Sequence, residues 1–136
     1  MDDMLKSLTI SASGMRAQGT RLRVVAENLA NADSLPKDAN DQPYRRRVVT
    51  FRQALDRSLD IETVRVDRIR GDTAPFTKRL EPAHPAADAN GFVSAPNVNP
   101  LIELADMREA QRSYEANLNV IKASHAMLLD TIDILR

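Results

Sequence analysis

A heptad-like alternation of mostly apolar residues runs along the first thirty positions of this 136-residue chain. Counted in steps of three and four, it selects Leu5, Leu8, Ala12, Met15, Gly19, Leu22, Ala26 and Leu29. A sustained repeat of about 3.5 residues predicts a helix with a narrow seam that must be buried against another helix. We expect this helix to end near Asn31.

The C-terminal region carries a matching seam, which consists of Leu104, Met107, Gln111, Tyr114, Leu118, Ile121, His125, Leu128, Ile132 and Leu135. Asn99 followed by Pro100 is the expected start of a helix, a capping side chain and then proline at the first helical position. No glycine or proline interrupts the sequence from Leu101 onward. The two seams predict that the terminal helices pair as an antiparallel or bundle-like unit.

Small residues recur along the N-terminal seam, and two of the interior residues of this helix are glycines, Gly14 and Gly19. Each glycine costs an isolated helix about 1 kcal/mol relative to alanine. Such positions favour the close approach of another helix. Asn31 suits a helix C-cap, whereas Asn28 lies inside the last turn, where its amide is free to contact a neighbouring element.

The middle of the chain has a different composition, with a polar, proline-containing loop over 32–43. Residues 44–51 and 61–70 have the β-branched and alternating patterns of strands, and 75–80 allows a further short strand. The pattern over 54–59 fits either a helical turn or a continued strand. Asn90 and Gly91 indicate a tight turn before Phe92.

The predicted fold is therefore α+β, with long terminal helices paired as a coiled-coil or bundle-like unit and a small irregular β module between them. The predicted divisions are an N-terminal helix of the helical core over 1–34, a central β-rich module over 35–98, and a C-terminal helix of the core over 99–136.

Composition excludes several classes of function. The net charge is zero and there is no cysteine, so we expect no nucleic-acid partner, disulfide or thiolate site. No apolar run approaches the roughly 20 residues that span a bilayer, and no cleavable secretory signal is evident. The arginine run Arg45, Arg46 and Arg47 is interpreted as a solvated or partner-facing stretch.

The two histidines, His84 and His125, lack the partners that catalysis or metal binding would require. His84 and Asp88 have no metal-ligand spacing around them, so we interpret them as part of a surface turn. His125 is interpreted as a polar interruption of the helical seam. We predict no catalytic residues, no cofactor and no metal.

Two stretches carry a family resemblance. Residues 11–34, SASGMRAQGTRLRVVAENLANADS, resemble the N-terminal signature of the flagellar rod, hook and filament-side axial proteins. Residues 107–118, MREAQRSYEANL, are similar to the matching C-terminal helix of that family. The segments 43–51, 82–93 and 96–100 narrow the resemblance to a short subunit of the proximal rod, with another rod subunit of the FlgB type as the alternative.

The resemblance implies a structural role. Such proteins are exported unfolded by the flagellar type III apparatus without signal cleavage, and they assemble in the periplasm into a hollow rod that transmits torque. The implied partners are further copies of the chain, rod proteins of the FlgB, FlgF and FlgG types, the FliE-type adaptor and the MS ring, without direct membrane insertion. A cytoplasmic coiled-coil adaptor would share the heptads but would not need the segments around 84–88 and 96–100. An enzyme is the weaker alternative, since it would depend on the two histidines alone.

The predicted assembly interface combines the apolar seams with the asparagines of the family signatures. Its members are Leu5, Leu8, Ala12, Met15, Gly19, Leu22, Ala26, Asn28, Leu29, Asn31, Leu104, Met107, Gln111, Tyr114, Asn117, Leu118, Ile121, Leu128 and Ile132. We expect these residues to be buried within a subunit and between subunits.

Overall fold

A computed structural model describes residues 2–135 and confirms the α+β class. Its elements, in chain order, are the helix α1 (Asp2–Ala30), the strands β1 (Arg47–Asp56), β2 (Ile61–Gly71), β3 (Thr77–Leu80) and β4 (Phe92–Ala95), and the helix α2 (Pro100–Ile134). Long terminal helices therefore enclose a small β module in the sequence, as predicted.

Local capping explains where the helices begin and end. At the end of α1, the Asn31 side chain donates from Nδ2 to the carbonyl oxygen of Glu27 at 2.8 Å, which satisfies one of the free carbonyls of the last turn. At the start of α2, Asn99 Oδ1 accepts a hydrogen bond from the Leu101 backbone N–H at 3.0 Å. The predicted Asn99 cap is confirmed. Asn31 does close α1, but through this side-chain bond rather than the left-handed backbone expected of a C-cap asparagine.

β1 and β2 form a two-stranded sheet. Thr63 Oγ1 donates to the Ala54 carbonyl and Thr50 Oγ1 donates to the Arg68 carbonyl, so the strands run antiparallel. β1 begins later than predicted and extends through Asp56, so the first half of the ambiguous stretch 54–59 is strand and its second half lies in the following turn. Asp60 adopts a left-handed conformation, φ 51°, in the turn that follows.

β3 and β4 form a second antiparallel pair, with Leu80 opposite Phe92 and Thr77 opposite Ala95. Gly91 precedes β4 with φ 83°, which confirms the predicted tight turn. The Asp88 carboxylate accepts hydrogen bonds from the Phe92 and Asn90 backbone N–H groups, both at 2.9 Å, and these bonds hold its pKa below the usual value. Asp88 therefore orders the turn.

The chain divides into two compact units. The first comprises the described residues up to Leu22, Val49–Arg68, and the described residues from Arg108 onward; the second comprises Arg23–Val48 and Ile69–Met107. The buried side chains of the first unit are mostly small, as the set Ser11, Ser13, Ala17, Ile61, Thr63, Ala110 and Ser124 shows. Such a core provides little apolar burial for two long helix segments.

Candidate assembly interface

In the first unit, α1 and α2 approach closely at Gly14. A Cβ atom at this position would lie 2.8 Å from Nδ2 and 3.0 Å from Cγ of Asn117. Further along, Arg21 and Glu109 form an ion pair at 3.7 Å, so the residue numbers on the two helices run in opposite directions. The helix segments of this unit are antiparallel, and a side chain at position 14 would have to displace the Asn117 amide.

The line of burial on α1 differs from the predicted seam. The buried residues of this helix are Ser11, Ser13, Ala17, Val24, Val25 and Asn28, whereas Leu5 is 48% exposed. Ala26 is also exposed, and the remaining seam residues, Leu8, Ala12, Met15, Gly19, Leu22 and Leu29, are only half-buried. Leu5 and Ala26 are therefore not covered within the single chain, because small and polar residues occupy the inward-facing positions. Their burial between subunits stays a prediction.

On α2 the same difference affects about half of the seam positions. The half-buried seam residues of α2 are Met107, Tyr114, Leu118, Ile121 and Leu128. The predicted interface also contains Asn117 on α2 and Asn31 after α1, and both are half-buried. The exposed seam residues include Leu104, Gln111, His125 and Ile132. The residues directly before the first three, Glu103, Ala110 and Ser124, are buried instead. A single chain thus leaves the apolar Leu104 and Ile132 uncovered, together with the polar Gln111 and His125. Whether other subunits cover these residues stays a prediction.

An open groove lies between the two helix segments of the first unit. Its volume is about 440 Å³, and it is lined by Ala12, Met15, Arg16, Gly19, Tyr114 and Ile121. All of these except Arg16 belong to the predicted interface. A Cβ added at Gly19 would have no atom within 4 Å, so this glycine is not required by packing inside the chain.

A second cavity of the first unit, about 300 Å³ in volume, lies between α1 and the β1–β2 hairpin. Its walls include Thr9, Arg16 and Thr20 of α1 and Asp56 and Arg65 of the hairpin. The hydroxyl of Ser13 accepts a hydrogen bond from the Val64 backbone N–H at 3.2 Å. This contact attaches the hairpin to the helix.

The second unit contains a buried polar network around Glu103, which is fully shielded from solvent. Glu103 Oε2 accepts a hydrogen bond from Asn28 Nδ2 at 3.0 Å, and Oε1 accepts one from Arg46 Nε at 2.5 Å. Arg46 also pairs with Asp72 at 3.3 Å and Asp106 at 3.4 Å. A buried carboxylate is tolerated because charged and amide donors satisfy it.

Asn28 completes this network by hydrogen bonding to Tyr44 and to Arg47, the first residue of β1. Its Oδ1 accepts from the Arg47 backbone N–H at 2.9 Å and from the Tyr44 hydroxyl at 2.8 Å, and its Nδ2 also donates to the Arg47 carbonyl at 2.8 Å. Burial, followed by the nearby charge of Glu27, raises the pKa of Tyr44. The predicted amide contact of Asn28 with a neighbouring element is confirmed.

The arginine run is not simply solvated, which corrects the sequence interpretation. Burial alone would lower the pKa of Arg46, but its hydrogen bond to Glu103 and the charge of that carboxylate raise it above the usual value. The Arg45 guanidinium lies 4.2 Å from the centroid of the Phe76 ring. Only Arg47 has the expected exposed position, where it pairs with Glu27 at 3.1 Å.

Glu103 was not identified as a candidate residue from the sequence. Its partner Asn28 lies 75 positions away, and no local pattern signals the contact. Among the described residues, no cluster of three or more His, Cys, Asp or Glu side chains could hold a metal ion. Neither helix, over the residues described, is sufficiently apolar along its length to cross a membrane.

Alanine should affect stability differently at the two helical glycines. At Gly14 the added Cβ must displace the Asn117 side chain. The crowding costs about 1–3 kcal/mol and improved helix propensity returns about 1 kcal/mol, so the net destabilisation is about 0–2 kcal/mol. Gly19→Ala should gain that same propensity of about 1 kcal/mol without crowding. Urea unfolding of both variants measures the difference, and a Gly14→Ala variant as stable as Gly19→Ala would contradict the close helix contact.

Known proteins similar to this chain are flagellar basal-body rod proteins. The family described as "Flagellar basal body rod FlgEFG protein C-terminal" matches residues 89–134. The chain is 47% identical to the flagellar basal-body rod protein FlgC of Agrobacterium fabrum, over 100% of this chain and 98% of that protein. It is 38% identical to FlgC of Yersinia enterocolitica, over 95% and 96% of the two chains.

A relative of lower sequence identity is also a flagellar basal-body rod protein FlgC. FlgC of Bacillus subtilis is 36% identical, with 94% of this chain and 95% of that protein covered. The similarity thus includes both terminal helices and the β module. This chain belongs to the FlgC family of flagellar basal-body rod proteins.

Proposed function

We propose that this chain is a structural subunit of the proximal rod of the bacterial flagellar basal body, and that it acts by assembly rather than by catalysis. The observation that carries the proposal is the similarity to FlgC proteins over nearly the full length of both chains. The proposed rod is a hollow periplasmic shaft that transmits torque. The chain reaches it through the flagellar type III export apparatus without cleavage of a signal.

Exposed apolar side chains on the terminal helices support the assembly role. Leu5 and Ile132 of the first unit and Leu104 of the second are large apolar side chains that a single chain leaves exposed. Exposed apolar residues that group into patches mark interaction sites on soluble proteins. In the proposed assembly these residues, with the rest of the predicted interface, are buried against the helices of neighbouring subunits.

We further propose that the helices and the β module have different roles in the rod. Residues 1–34 and 99–136 supply the helical core of the rod wall, and the β-rich module over 35–98 points outward or bridges to adjacent subunits. The neighbours are other copies of the chain and rod proteins of the FlgB, FlgF and FlgG types. The FliE-type adaptor and the MS ring lie at the base of the rod.

Complementation tests this proposal. The chain is expressed in a bacterium whose own FlgC gene has been deleted, and basal bodies are purified and analysed by intact mass spectrometry. The expected result is a full-length subunit of 15.1 kDa in the rod fraction, together with restored motility. Restoring the host's own FlgC from a plasmid provides the positive control. If that control restores rods and motility while this chain does neither, a rod function is contradicted, and a shortened mass would contradict export without cleavage.

A matched control separates export from assembly. A chain that carries a stop codon after residue 98 lacks α2 and should be absent from basal bodies, because half of the proposed helical core is missing. The culture medium is examined in parallel for both proteins, since an exported subunit that cannot assemble escapes through the apparatus. Incorporation of the shortened chain would show that α2 is not part of the rod wall.

A further inference from the structure

The groove between α1 and α2 in the first unit has an apolar lining and one cation. Ala12, Met15, Gly19, Tyr114 and Ile121 form the apolar part, and Arg16 is the charged residue. Arg16 is exposed, and its guanidinium forms no ion pair with any residue in the described range 2–135. The groove therefore suits an apolar helix that also carries negative charge.

The end of α2 has this chemistry. Residues 126–135, AMLLDTIDIL, present large apolar side chains that are at least half exposed, namely Met127, Leu129, Ile132, Ile134 and Leu135. A helix that is apolar around most of its circumference is normally buried. Asp130 and Asp133 are three positions apart and so lie on the same side of the helix. Neither carboxylate forms an ion pair within the described part of the chain.

This segment cannot fill the groove of its own chain. Leu129 follows Ile121 on the same continuous helix, and eight residues of helix place it about 12 Å further along the axis. The groove and the segment are therefore two different surfaces of one molecule. Contacts between unlike surfaces are heterologous, and they propagate into rings or helical assemblies rather than closing as dimers.

We propose that residues 126–135 of one copy of this chain dock into the groove of the next copy, with Arg16 paired to Asp130 or Asp133. This inference rests on the proposed rod function, because it names the contact through which copies join. Arg16 fixes the register of the incoming helix, and Gly19 leaves the space that an incoming side chain occupies.

Disulfide cross-linking tests the contact, since the chain contains no cysteine of its own. Two singly substituted chains, Gly19→Cys and Leu129→Cys, are expressed together in the FlgC-deleted host. Basal bodies are purified and oxidised, and the linked peptides are mapped by mass spectrometry. The expected product joins position 19 of one chain to position 129 of another, at a level about tenfold above that in cells with either variant alone, as a heterologous contact requires.

A matched control pairs Gly19→Cys with Leu55→Cys, because Leu55 is an equally large exposed side chain outside the segment. This pair should give only background cross-linking. Three results would overturn the proposal. These are links formed only between identical variants, a link from position 129 to a different rod protein, and equal links from positions 55 and 129.

Charge exchange gives a second test that does not depend on cysteines. Arg16→Glu alone, or Asp130→Lys with Asp133→Lys, should lower the number of rod-containing basal bodies about tenfold through like-charge contact. All three substitutions together should restore it to within about twofold of wild type. A triple variant no better than the worse parent would refute the pairing. If the wild-type chain itself fails to enter basal bodies, the proposed function has failed rather than this contact.

Discussion

Leu5→Asp is expected to abolish rod assembly while the isolated chain stays folded. Leu5 is 48% exposed in the single chain, so a carboxylate there meets solvent and costs the monomer little. In the proposed rod the same side chain is buried against a neighbour. Loss of its apolar contact together with burial of a charge then costs about 2–5 kcal/mol at each contact. Because many such contacts add along the rod, rods should fall to background.

Leu55→Asp is the matched control for this prediction. Leu55 lies in β1 and is 58% exposed, but it is not part of the predicted seam. Motility and the count of rods by electron microscopy should remain within about twofold of wild type for this variant, as for most surface substitutions. Normal rods with Leu5→Asp, or equal loss with both variants, would show that the seam is not the assembly surface.

Glu103→Ala is expected to destabilise the second unit by about 3 kcal/mol, the lower end of the range for breaking a buried ion pair. The substitution removes an acceptor from Arg46 and from Asn28. Arg46 keeps Asp72 and Asp106 as partners, which is why the effect should not reach the upper end. Urea unfolding followed by circular dichroism measures it as a lower midpoint at unchanged slope.

Glu109→Ala is the control, since Glu109 belongs to the same helix and also pairs with an arginine, Arg21. The Glu109 side chain is 69% exposed, and exposed pairs contribute about 1 kcal/mol or less. Glu103→Gln keeps a neutral acceptor and should fall between the two. A Glu103→Ala variant no less stable than Glu109→Ala would mean that the buried network does not stabilise the chain.

Helix limits could be predicted from the sequence because they depend on local chemistry. Asn99 and Pro100 specify the start of α2, and Asn31 specifies the end of α1, through hydrogen bonds that span only a few residues. The turn at Gly91 follows from the same kind of local rule. The β1–β2 hairpin was found with less accurate bounds, since the strand pattern alone did not show how far β1 continues.

The direction in which each helix is buried could not be predicted in the same way. Side-chain size favoured the apolar seam as the inward face, but close contact between the helices requires small residues such as Gly14 and places Asn117 against it. Glu103 was missed because its burial depends on partners from distant parts of the chain. The assembly surface can be predicted only as the apolar residues that remain once the intramolecular contacts are known.

Hydrogen exchange tests most directly whether the terminal helices of the first unit depend on neighbouring subunits. Backbone amides are compared between the purified chain and the same chain in isolated basal bodies. Helix segments with few buried contacts open locally at a low free-energy cost. We therefore predict that backbone amides in peptides from 5–22 and 111–132 exchange at least about a hundredfold faster in the single chain than in basal bodies. Peptides around Asn28 and Glu103 provide an internal reference, because their network lies within the chain and should change far less. Equal protection of both helices in the single chain and in basal bodies would contradict the account, since the helical pair would then be complete before assembly.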